Sequence, residues 1–249
     1  MLPNTHDRGL FFFHNPKAGG TSVARALESM FVDVERCPLI ENSQRDHDRR
    51  HGDYAAFRGY RYYGGHYGHD IFSVVTNDSH CAVTNFRDPA ERLLSLYNYY
   101  RLDVTIPKDP SEVDNYYAVM FAQQVDFHRF VSTEDPRIEI HTRNHHTRQL
   151  TNSGWVSECA LGLTYAVAML KSMPWFYICE RPELSMRWAR QVFGHSFPVI
   201  PRENVTSREK NGRFAVTDIE PATRRIIYEK NVLDETLRAR AVRRMQREA

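Results

Sequence analysis

The sequence has little cysteine, no surplus charge of either sign and no long apolar run. Its four cysteines, Cys37, Cys81, Cys159 and Cys179, stand far apart among 249 residues and form no CxxC pair. That pattern excludes a disulfide-stapled domain and predicts reduced, buried thiols. A formal charge of +2, with 26% charged residues, lacks the basic excess of a general nucleic-acid binder but leaves room for a local anion pocket. No apolar run approaches the length of a membrane span, and MLPNTHDRG at the N-terminus has neither the charged nor the apolar part of a signal peptide. A cytoplasmic protein is the expectation. The chain shows no internal repeat and no low-complexity segment. At this length one α/β domain over residues 1–249 is expected, with strands alternating with helices and a mainly parallel sheet covered by helices.

What is present is concentrated first in Gly9 to Phe31, GLFFFHNPKAGGTSVARALESMF. Leu10 to Phe13 is long enough for one buried strand and too short for a helix. In the loop that follows, Pro16 holds Asn15 extended, while Gly19 and Gly20 permit positive φ and close approach to the backbone. Thr21 or Ser22 is expected to cap a helix with Val23, Leu27, Met30 and Phe31 on its apolar side. A glycine-bearing loop that opens a helix directs unpaired N–H groups and the positive end of the helix dipole at one point, and Lys17 adds a full charge. The nucleotide-binding GxxxxGK[ST] loop has its lysine after the glycines, next to the hydroxyl that holds magnesium. Here the lysine comes first, an order suited to a polyanion and without provision for a metal.

Farther on, His47 and His51 stand at metal-like spacing in a polar stretch from Glu41 to Gly59, but the glutamate of HExxH is missing, so solvated surface is the reading. Tyr60 to Asp70, YRYYGGHYGHD, mixes aromatics, glycines and two histidines and is expected to be a loop that presents polar atoms. Ile71 to Thr76 and Cys81 to Phe86 read as two strands joined by a turn. Pro89 then starts a helix carrying Leu93, Leu94, Leu96, Tyr97 and Tyr100. Arg87 at the strand exit and Ser95 two turns into that helix can meet one phosphate; in the competing reading Arg87 pairs with Asp88 or Glu91. Glu112 to Val131 is expected to be a packing helix. Asn144 to Leu150, NHHTRQL, is read as a polar loop. Glu158 to Met173 is expected to be a helix, Trp175 to Cys179 a buried strand, Glu180 to Phe193 a helix closed by Gly194, and Glu220 to the end helical.

Two of these stretches carry a resemblance. PKAGGTS after an apolar strand resembles the 5′-phosphosulfate loop of sulfotransferases that use 3′-phosphoadenosine-5′-phosphosulfate (PAPS). HNPKAGGTS is closest to the HxPKTGGTS wording of the carbohydrate group containing heparan sulfate 2-O- and 6-O-sulfotransferases, with Ala18 in place of threonine. FRDPAERLLSLYNYY resembles that group's 3′-phosphate motif, RDPxxRLxSxYxY, and NVLDETLRARA its N-x-x-D-x-x-L-Y-x-x-A ending, with Arg238 where tyrosine is usual. The resemblance implies a P-loop-like sulfotransferase fold, a PAPS site on Lys17, Ala18, Gly19, Gly20, Thr21 and Ser22, and a 3′-phosphate site on Arg87 and Ser95. It implies a catalytic base at His66, in a Gly-His pair between the two motifs, with His69 as runner-up. Arg148 or His146 would line the acceptor side, and Ser207 and Lys210 would close the donor pocket. Animal members carry an N-terminal anchoring helix, so the resemblance implies either a bacterial-type enzyme or a trimmed chain.

The expected activity is transfer of a sulfuryl group from PAPS to a hydroxyl of a carbohydrate or small molecule, releasing 3′,5′-ADP, with Lys17 and His66 catalytic and no metal. Two rivals stand beside it: a P-loop nucleotide kinase, and a protein that binds a nucleotide or an anionic glycan without chemistry.

Overall fold

The computed structural model describes residues 8–40, 54–107, 113–151, 160–200 and 213–249. Four parallel strands form one sheet in the order β2-β1-β3-β4. The strands are β1 (Gly9–Phe13), β2 (Tyr62–Gly65), β3 (His80–Phe86) and β4 (Phe176–Ile178). Every side chain of β1 is buried, as expected of a parallel strand with both faces covered. β1 pairs with β2 from Leu10 opposite Tyr62 to Phe13 opposite Gly65, and with β3 from Gly9 opposite His80 to Phe13 opposite Thr84.

The helices are α1 (Gly20–Glu28), α2 (His69–Val75), α3 (Pro89–Leu102), α4 (Tyr117–Gln124), α5 (Phe127–Ser132), α6 (Pro136–Thr142), α7 (His145–Gln149), α8 (Ala160–Ser172), α9 (Pro182–Phe193), α10 (Pro221–Lys230) and α11 (Val232–Glu248). One apolar core surrounds the sheet. A second joins α3, α4, α5 and α10 through Leu93, Tyr97, Phe130 and Ile227.

Three local expectations are corrected. Tyr60 to Asp70 is not a loop: Tyr62 and Tyr63 are buried in β2, because the free edge of β1 recruits them as a strand. Ile71 to Thr76 is not a strand but lies in α2. β2 and β3 flank β1 and run parallel, so the chain must cross over between them, which a tight strand-turn-strand hairpin cannot do. Ile71 and Val75, four residues apart, form the buried side of that crossover helix. The single helix expected over Glu112 to Val131 is two helices, since Val125 is extended and Asp126 caps α5 by accepting from Arg129 N at 2.7 Å. Glu112 itself lies outside the described residues, as do His47, His51, Cys159, Ser207 and Lys210.

Candidate functional site

Because all four strands run in the same direction, their carboxyl ends share one rim, the place where open α/β sheets bind ligands. His66 follows β2, the Lys17 loop follows β1, Arg87 follows β3, and Cys179 and Glu180 follow β4. The sheet order therefore sets His66, Lys17 and Arg87 in a row, with the loop between the other two.

The loop is anchored from β3. Asn85, fully buried, accepts from Asn15 N at 2.8 Å and donates through Nδ2 to the carbonyls of Asn15 at 3.0 Å and Ala18 at 2.7 Å. Arg87 Nη1 donates to Lys17 O at 3.1 Å. Held at both ends, the loop places Lys17 at φ 63° and Gly19 at φ 72°. A side chain at Gly19 would meet Cys179 Sγ at 2.8 Å in addition to the strained φ, and one at Gly20 would run into the His14 ring. The predicted cap by Thr21 or Ser22 is corrected: the N-cap is Gly19, and both hydroxyl residues lie inside the first turn, Thr21 exposed and Ser22 buried. Gly19, with no side chain, gives α1 no side-chain cap of its own, and the positive end of the helix faces the loop.

Lys17 is half-buried, with Nζ 4.1 Å from the centre of the Tyr99 ring. Burial pushes its ammonium pKa down, the Asp103 carboxylate works against that shift, and Arg87 and Arg213 add to it. Arg213 is bound to Asp103 at 2.6 and 2.7 Å, and Asn98 on α3 pins the neighbouring Phe214 backbone through both amide atoms. Arg87 also pairs with Glu91 at 3.3 Å, the partner that the competing ion-pair reading named. Glu91, Ser95 and Tyr99 on α3 and Asp103 at its C-cap recur every fourth residue, with Arg87 one step before them. Tyr99, Asp103, Asn85 and Arg213, which stand with Lys17 and Arg87 here, were not singled out from the sequence. The four-residue repeat was visible in the sequence; the approach of Arg213 was not.

His66 is exposed, and its Nδ1 lies 2.9 Å from the backbone oxygen of His14. The two imidazoles are 4.3 Å apart between ring centres. His14 is pushed down to about 3 by burial, by His66 and by Lys17, and so stays neutral beside its neighbour. His69 opens α2 with its ring against Phe72 at 5.4 Å.

His146 and Arg148 are buried and bonded within the protein. The NHHTRQL stretch is the buried helix α7, not a polar loop. Asp234 on α11 accepts from His146 N at 3.1 Å and Thr147 N at 2.7 Å, which makes burial of these amides tolerable. Thr84 Oγ1 donates to Phe13 O at 2.8 Å and accepts from His146 Nε2 at 2.9 Å, so His146 braces the end of β1. Arg148 Nη2 donates to the carbonyls of Glu139 and Arg143, both at 2.6 Å, closing the end of α6. Arg238 stands with Asp88 at 3.8 Å, Glu180 at 4.0 Å and Glu235 at 2.9 Å, behind the Asp88 cap of α3.

No group of three or more histidine, cysteine, aspartate or glutamate side chains among the described residues is arranged to hold a metal ion, and no helix among them is long and apolar enough to cross a membrane. No protein-family model matches the chain, and no curated protein matches it.

Proposed function

We propose that this chain is a PAPS-dependent sulfotransferase that moves a sulfuryl group to a hydroxyl of a carbohydrate or small-molecule acceptor, in a P-loop-like fold and in the cytoplasm. One observation carries the reading. The loop after β1 and the arginine after β3 are joined by the bond from Arg87 Nη1 to Lys17 O, so the two elements whose wording resembles the donor-binding motifs stand side by side on one rim. The positive end of α1 and the half-buried Lys17 suit a 5′-phosphosulfate, and Arg87 suits a 3′-phosphate, with Ser95 two turns into α3 as its proposed second contact.

The donor supplies an activated sulfuryl group; the chain supplies alignment and charge. The acceptor oxygen attacks sulfur, the bond from sulfur to the bridging phosphate oxygen breaks, and 3′,5′-ADP leaves. Lys17 and the loop amides stabilise the charge that collects on the leaving phosphate. His66 takes the acceptor's proton, a role worth about 10²- to 10⁴-fold in rate. No step requires a metal.

Incubation with labelled PAPS and, in parallel, ATP tests this, with a panel of sugar and small-molecule hydroxyls as acceptors. Transfer from PAPS that persists in EDTA is the expected result. Hydrolysis of ATP identifies a P-loop nucleotide enzyme instead. Binding of 3′,5′-ADP without transfer to any acceptor identifies a nucleotide-binding protein.

A further inference from the structure

Either nitrogen of a neutral imidazole can carry its proton, and the one that does not is the atom that can accept another. A backbone carbonyl only accepts. His66 Nδ1, 2.9 Å from His14 O, must therefore carry hydrogen, and in the neutral ring Nε2 is then the nitrogen without one. The tautomer of His66 depends on where the His14 carbonyl is held.

That carbonyl has a second donor. Gln149 Nε2 donates to His14 O at 3.2 Å and to Tyr67 O at 2.9 Å, one bond to the chain leaving β1 and one to the residue after His66. Turning the amide over would set its oxygen against two carbonyl oxygens, so the orientation is fixed by chemistry. Gln149 is fully buried on α7, and its Oε1 has no hydrogen-bond partner among the described residues. The backbone completes the bracket: His14 N donates to Gly65 O at 3.1 Å. α7 is itself held from α11 through Asp234.

We infer that Gln149 is a positioning residue that fixes the His14 carbonyl against His66 and so keeps the His66 proton on Nδ1 and its lone pair on Nε2. The inference rests on the proposed function for its catalytic meaning, since a base must present a lone pair to the acceptor hydroxyl. It gives α7 a role that neither an acceptor-lining loop nor a surface loop would have. Gln149 acts through His14 and His66 and need not touch the substrate.

The test uses the full chain with histidine ring nitrogens labelled, His66→Gln supplying the assignment. Nitrogen chemical shifts are expected to show His66 protonated at Nδ1 and bare at Nε2. Gln149→Met keeps the length of the side chain and removes both donors. It is expected to give a mixture of His66 tautomers and to lower kcat about tenfold, with the PAPS KM nearly unchanged, as for a small misplacement of a reacting group. A role in packing alone would lower the melting temperature and leave the tautomer as it was, and that result overturns the inference. So does a wild-type ring protonated at Nε2. Where Gln149→Met fails to fold, wild-type hydrogen exchange decides: slow exchange of both Gln149 side-chain amide protons supports the inference, and fast exchange overturns it. A Gln149-dependent Nδ1–H ring in a chain that transfers nothing from PAPS would refute the proposed reaction while leaving this inference standing.

Discussion

The strand-end rim and the α7 region are both rich in arginine and histidine, yet the two regions use them in opposite ways. At the rim, Lys17 lies against one ring face and Arg87 gives one bond to a carbonyl and one to a carboxylate, with both side chains half-buried. Around α7, Arg148 gives Nη2 to two carbonyls, His146 is bonded to Thr84, His145 Nδ1 is bonded to Ile140 O, and the carboxylate of Asp234 is buried among them. Residue type alone does not separate the two regions. What separates them is burial, partial for Lys17 and Arg87 and nearly complete for His145, His146 and Arg148.

The largest expected effect tests the buried side of this contrast. Burial holds His141 down to about 4 and His146 down to about 4, and pushes His145 well below the ordinary histidine value. In each the native pKa lies below the unfolded one, so the unfolded chain takes up protons first as pH falls. Stability is full above about pH 6.5 and is lost below it, at about 1.4 kcal/mol per pH unit for each histidine, until the native values are reached. Denaturant midpoints are expected to fall steeply from pH 6.5 to 4, with three to four protons bound on unfolding, His14 at the rim adding to the three near α7. A midpoint unchanged from pH 7.5 to 5 would erase the distinction between the regions.

The same contrast explains what could be read in advance. β1 with its loop, β3 with the Asp88-Pro89 start of α3, and β4 with α9 are fixed by local chemistry: short apolar runs, prolines at helix starts, a carboxylate cap. β2 became a strand only because β1 offers it an edge. The polar letters of NHHTRQL fit a loop until Asn231 and Asp234, more than eighty residues later, satisfy their backbone. Asn231 Oδ1 accepts from Asn144 N at 2.9 Å, and Asn144 Oδ1 accepts from Leu233 N at 3.0 Å, an exchange between distant segments that no local pattern announces. Arg213 was missed for the same reason.

On the rim side, His66→Ala is expected to lower kcat at least about 100-fold while 3′,5′-ADP affinity holds, because a base acts on the acceptor and not on the bound nucleotide. His69→Ala should chiefly change stability or acceptor KM, since its ring packs on Phe72. Full turnover in His66→Ala with collapse in a stable His69→Ala would move the base to α2.

A somewhat smaller effect is expected at Arg87. On the proposed reading Arg87→Ala should weaken 3′,5′-ADP by about 2 kcal/mol, the cost of losing a charge-assisted contact to the 3′-phosphate. Calorimetry with 5′-AMP, which lacks that phosphate, is the control. Equal losses for both nucleotides would assign Arg87 to bracing the loop through Lys17 O, and would place it with the buried arginines in function.

The smallest expected effect asks whether the Tyr99 ring prepares Lys17 or detains it. The ring face covers one side of the ammonium at 4.1 Å, and the three N–H donors of a lysine can still turn toward an anion on the other side. Asp103, one turn further along α3, draws the same charge and holds Arg213. Preparation predicts that Tyr99→Leu weakens 3′,5′-ADP by about 0.5–1 kcal/mol, roughly two- to fivefold, through the lost cation–π contact. Tyr99→Phe, which keeps the ring, should bind almost as wild type does. Tighter binding in Tyr99→Leu would mean that the ring competes with the ligand for Lys17. The rim lysine would then be committed to the protein in the manner of Arg148, and the difference between the two regions would be one of degree.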